Sequence, residues 1–170
     1  MAQPALATIE RAAVPAIRQT RLFINNEWVD PLDGTCFDTL NPATGEVIAS
    51  VAQGSAADID RAVKAARRAL ESPPYSTMDA ADRGRLLVRL ADLVEAHAQE
   101  LAQLESLNAG KTIADSLGDM QGVANSLRYY GGWADKIEGR TPPVRGNFLT
   151  YTLRQPVGVV ERHVARRHGP

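Results

Sequence analysis

Between Ser55 and Gly139, half of the chain, apolar residues return at the spacing of a helix face in three successive runs, separated by residues that helices do not tolerate. This pattern constrains the fold more than any other feature, because such a stretch must fold as helices with a face to cover. The first run is Ile59, Ala62, Val63, Ala66 and Leu70, one stripe at helical period. Ser55 precedes it as a cap, Asp58 puts negative charge in its first turn, and Pro73-Pro74 ends it. The second is predicted from about Asp79 to Asn108, with Leu86, Leu90, Leu93, Leu101 and Leu104 on one stripe and His97 in the gap. Asn108-Ala109-Gly110 is its stop signal. The third begins near Thr112, carries Ile113, Leu117, Met120, Ala124 and Leu127 on one side, and is predicted to reach Ile137.

The flanks read as strands. In "RLFINNEWV", residues 21–29, Asn25-Asn26 separates two apolar runs; asparagine tolerates positive φ, so the pair predicts a tight hairpin. A second strand pair is expected around "NPATGEVIASV", where Asn41-Pro42 and Thr44-Gly45 supply the turn. After "GRTPP" the period falls to 2: Leu149, Tyr151 and Leu153 alternate with Thr150, Thr152 and Arg154 until Pro156. Val157 to Val160 then reads as the opening of a buried strand. The pattern predicts an α/β chain, hairpins first and helices in the middle, with no internal repeat.

A chain of 170 residues suits one domain, long enough to bury about two-thirds of its unfolded surface. Its net charge is −1, made of +2 in residues 161–170 and −3 elsewhere, so it offers no general attraction to nucleic acid or an anionic membrane. No apolar run reaches bilayer length. Residues 1–20 lack a secretory core; Arg11 and Arg18 among alanines approach a mitochondrial presequence, but Glu10 and Pro15 interrupt it. A disordered extension is expected there, and a cytoplasmic location in preference to a mitochondrial one. The single cysteine, Cys36, forbids an intrachain disulfide and suits a reducing compartment.

The search for reactive groups assigns no catalytic, cofactor-binding or metal-ligating residue. Cys36 lies between Asp33 and Asp38 with no basic neighbour; carboxylates raise a thiol's pKa, so it is expected as a small packed residue. His97 is expected at the edge of a leucine stripe, and His163 and His168 have no metal-ligand spacing. Arg162, Arg166 and Arg167 with those histidines would give only weak, salt-dependent contact with nucleic acid. Phosphate-loop motifs are absent, and Gly131-Gly132 is expected to serve close packing.

"LFINNEWV", "NPATGEVIASV", "DIDRAVKAARRAL", "RGRLLVRLADLVE", "ESLNAGK", "LRYYGGWADK" and "RQPVGVV" follow one another from residue 22 to about 160. Together, in that order and spacing, the chain resembles the N-terminal portion of the NAD(P)-dependent aldehyde dehydrogenase superfamily. The resemblance implies a truncated α/β piece. Residues 21–140 would flank the cofactor domain, 145–156 would belong to an oligomerisation β-arm whose 147–154 strand adds to a neighbouring sheet, and 157–160 would start the Rossmann-like domain. It implies a parent reaction in which NAD or NADP takes hydride from an aldehyde bound to a cysteine thiolate, giving a carboxylic acid. The family's nucleophile, its glutamate base and its cofactor residues match no position here, and Cys36 is not the nucleophile's counterpart. Residues 161–170 do not follow the family, so an N-terminal fragment is expected, from a frameshift, a splice variant or a gene-model boundary, inactive by itself. The alternative is a non-enzymatic partner of a full-length dehydrogenase, joined through the β-arm. In the family the third helix lines the aldehyde's tunnel, so Gly118 and Gly122, four apart on one face, would widen that wall unless they serve helix–helix packing.

Overall fold

A computed structural model describes residues 15–162. Residues 1–14, and His163, His168 and the other residues of 163–170, lie outside the described part, so the expectations placed on them have no counterpart below. Two short hairpins come first. β1 (Leu22–Ile24) pairs antiparallel with β2 (Glu27–Val29). Asn25 and Asn26, both at positive φ (56° and 65°), make the two-residue turn between them, as expected from the tolerance of asparagine for that region. β3 (Cys36–Leu40) pairs antiparallel with β4 (Val47–Ala52). Their register shifts between Thr39, opposite Ala49, and Leu40, opposite Val47. Ile48 is the extra residue of that bulge, so Ile48 and Ala49 are both half-buried and strict alternation fails there.

Four helices follow. α1 (Ala56–Glu71) begins with a complete capping box: Asp58 N–H donates to Ser55 Oγ at 3.4 Å, and Ser55 N–H donates back to the Asp58 carboxylate at 3.1 Å. A short 3₁₀ turn (Tyr75–Thr77) leads to α2 (Ala80–Ala96) and α3 (Ala98–Ala109). The single helix expected over 79–108 is thus two. His97, at φ −110° and ψ 14°, is the break, although its N–H still donates to Leu93 O at 3.1 Å and its carbonyl accepts from Leu101 N–H at 3.0 Å. Local bonding across the joint is kept while the His97 backbone leaves the helical region, which a periodicity count does not detect.

α3 stops at Gly110, in the left-handed region at φ 73°, where a Cβ would also stand 2.8 Å from Pro42 Cγ. Two requirements select glycine there. α4 (Ile113–Trp133) is capped by Thr112, whose Oγ1 accepts from Asp115 N–H at 3.2 Å. It ends four residues before the predicted Ile137. α2 and α4 cross closely because both offer glycine at the contact: a Cβ on Gly131 would lie 2.9 Å from Gly84 O, and one on Gly84 would press into Gly131 O. The close-packing role expected for the Gly131-Gly132 pair holds for Gly131; a Cβ on Gly132 meets open space.

The two last predicted strands do not form here. Residues 149–153 and 157–160 carry no ladder, because a strand exists only against a partner and none of the described residues supplies one. Arg140 and Thr152 instead hold a loose return, Thr152 N–H to Arg140 O at 2.8 Å and Arg140 N–H to Thr152 Oγ1 at 2.7 Å.

Among the described residues the buried hydrophobic ones are Ala65, Ala91, Ala102 and Ala124, all alanines, and the largest fully buried side chains are Asp58 and Ser116. The helices bring small residues together and turn their large ones outward.

Candidate functional site

α4 runs along an open groove. Gly118 and Gly122, with Leu87 on α2 and Met120, Leu127 and Tyr130 on α4, line an open groove of about 840 Å³. A Cβ at either glycine meets no atom within 4 Å. Among the described residues no helix packs against these glycines, and the missing side chains leave room in the groove.

Asp58 is the most constrained charge. It is 1% exposed, yet its oxygens accept from Leu32 N–H at 3.3 Å, from Ser55 N–H at 3.1 Å and from Ser55 Oγ at 2.8 Å, with Arg61 Nη1 at 3.3 Å. Burial works to raise its pKa, and the Ser55 bonds, the Leu32 N–H and the Arg61 charge together outweigh it, leaving the carboxyl below its ordinary value. Sequence reading saw the dipole part of this arrangement; the link to Leu32, 26 residues away, had no local signal.

A second charged cluster ties α2 to α4. Arg128 donates to Asp92 at 2.8 Å and to both oxygens of Glu95 at 2.5 and 2.6 Å. Its hydrogen bonds hold Glu95 below the usual carboxylate range against the opposing effect of burial, and Glu95 and Asp92 in turn raise the Arg128 pKa. An arginine committed to two carboxylates in this way is a clasp between α2 and α4.

Cys36, expected as packed, is exposed. It stands at the open end of β3 opposite Ala52, and no layer covers that end. His97 is also exposed, with Nδ1 3.6 Å from Glu100 Oε2. Among the described residues no group of three or more His, Cys, Asp or Glu is placed to hold a metal ion, and no helix is long and apolar enough to cross a membrane.

Among the described residues the helix N-termini do not fit a dinucleotide pyrophosphate. A helix N-terminus attracts anions through free N–H groups and its positive end, but all four helices carry an acid in the first turn: Asp58, Asp82, Glu100 and Asp115. α1 and α4 also use one first-turn donor each, Asp58 N–H and Asp115 N–H, on Ser55 and Thr112.

What remains is surface. Leu86, Leu90 and Leu93 on α2, Ile59 and Val63 on α1, and Leu149, Tyr151 and Leu153 are all exposed. Apolar exposure on this scale marks faces meant to be covered.

The model of the aldehyde dehydrogenase family matches residues 28–162. Aldehyde dehydrogenase 1A1 of Macaca fascicularis is 52% identical over 145 residues, 84% of this chain and 29% of that protein. The mitochondrial aldehyde dehydrogenase of Mesocricetus auratus is 52% identical over 156 residues, 87% of this chain and 31% of that protein. Among solved structures, the NAD+ complex of aldehyde dehydrogenase from Bacillus cereus aligns with a TM-score of 0.76 at 46% identity, over 78% of this chain and 27% of that one. The sequence thus spans less than a third of the relatives it matches.

Proposed function

The chain belongs to the aldehyde dehydrogenase family, as its N-terminal portion, and from that premise we propose that it is scaffold for an NAD(P)-dependent oxidation of an aldehyde to a carboxylic acid. In this reading 21–140 flank the cofactor domain, 147–154 form an edge for oligomerisation, and 157–160 begin the Rossmann-like unit. Nucleophile, base and cofactor contacts belong to the remainder of the family fold, so the chain alone turns over no aldehyde. The observation that carries the reading is the combination of an α4 groove and apolar helix faces, both left open, on a chain that matches family members at about half identity.

Within it, Gly118 and Gly122 set the width of the aldehyde's path. A wall without two side chains favours a bulky aldehyde. Cytoplasm is the proposed location, supported by a relative named as cytosolic, although another is named as mitochondrial.

The test is direct. The purified chain, incubated with NAD or NADP and a panel of aliphatic and aromatic aldehydes, is expected to give no rise in nicotinamide absorbance above the protein-free rate. Turnover abolished by Cys36→Ser would overturn the reading completely, since it would make this chain the catalyst.

A second reading is favoured by Leu149, Tyr151 and Leu153, which stand 85%, 69% and 72% exposed on a segment without a ladder. Such a ribbon adds to a neighbour's sheet edge, which would let the chain join a full-length dehydrogenase without being an enzyme. Light scattering of the mixture reads this out: a new mixed mass supports it, and unchanged masses remove it.

A further inference from the structure

The β3–β4 hairpin and α3 enclose a second cleft, which shares Glu105 and Met120 with the α4 groove but opens between hairpin and helix. It is an open trough of about 640 Å³, lined by Phe37 and Val51 from the hairpin, Leu101 and Leu104 from α3, and Met120 from α4. One ionisable side chain lines it, Glu105. Glu105 is half-buried, and among the described residues its carboxylate has neither a hydrogen-bond donor nor a cation.

That isolation is unlike its neighbours. On the same helices Asp82 pairs with Arg85, Asp92 and Glu95 with Arg128, Glu100 with Arg18, and Asp119 with Lys111. Glu105 is the single negative charge on a lining otherwise made of apolar and uncharged side chains, and no positive charge among the described residues faces it. An incoming cation corrects this, and does so best when apolar groups on either side cover the trough at the same time, since an arginine or lysine stem itself lies well on apolar surface.

We propose that this cleft is a docking site for a polypeptide segment presenting one arginine or lysine between apolar side chains, with Glu105 receiving the cation. The trough's openness favours a segment over a small amine, which would stay largely in water. The proposal stands on the cleft alone and does not require the catalytic reading of the family.

Fluorescence anisotropy of the full chain with two labelled probes tests it: an apolar heptapeptide with a central arginine, and its counterpart with glutamine there. The arginine probe is expected to bind about tenfold more tightly. Glu105→Gln is expected to bring that preference to about onefold to twofold, and raising salt from about 0.05 to 0.5 M to shrink it in the unaltered chain. Ala49 of β4 also lines the trough, and Ala49→Leu, which fills it, is expected to weaken both probes alike. Equal binding of the two probes, a preference that survives Glu105→Gln, or binding indifferent to Ala49→Leu each overturns the proposal. So does self-association that blocks both probes. If Glu105→Gln does not fold by circular dichroism, the salt series and Ala49→Leu decide: a preference unmoved by salt rejects the site.

Discussion

Asp58 joins three stretches of backbone with one carboxylate: the loop after β2 through Leu32, the N-cap Ser55, and its own helix through Arg61. Because its folded pKa is depressed, the stability it contributes is fully present above its unfolded value near 4 and is lost as pH falls through the lower folded value. Asp58→Asn should therefore melt well below the parent chain at pH 7, and the two melting curves should converge below about pH 4. A constant gap across that window would show that the carboxylate's charge is irrelevant. The Ser55 cap was readable because it depends on neighbours three residues apart. The bond to Leu32 was not, and neither was the exposure of Cys36, because both follow from how loops meet in space.

Among the elements, α2 and α4 are paired through absent side chains. Gly84 and Gly131 let the backbones approach, and the Arg128 clasp on Asp92 and Glu95 lies further along the same contact. Adding a methyl group at Gly84 forces it into a backbone carbonyl of α4, so Gly84→Ala should cost about 1–3 kcal/mol. The same change at Gly122, which faces open space, should stabilise by about 0.5–1 kcal/mol through helix propensity. Chemical denaturation of the two variants checks the pair; equal shifts would mean that the close crossing is wrong. All three helical stripes were legible at this scale, as were the two hairpins and most of the boundaries. Which face would be buried was not. The leucine stripe of α2 points outward while Gly84 and Ala91 point in, because periodicity reports that a face is apolar without saying that its cover lies in the same chain.

For the molecule as a whole, the informative fact is an interior built of alanine with leucine, valine and tyrosine outside. Such a body has helical content but little tertiary cooperativity. It should bind an apolar dye such as ANS in native buffer and unfold over a broad range of temperature. A sharp transition without dye binding would show that the apolar faces close on one another in solution. Family membership was legible from seven segments in order, and the same faces explain why their residues alone did not give a compact structure.

The outward leucines have a consequence for anyone measuring tolerance to mutation. In this polypeptide taken singly, Leu86, Leu90 and Leu93 are about half exposed, so replacing one by serine removes only part of what a covered leucine would lose, and a stability screen would underrate those positions. Their cost is deferred to whatever surface closes over the veneer, so a survey made there would rank the same leucines among the least replaceable residues.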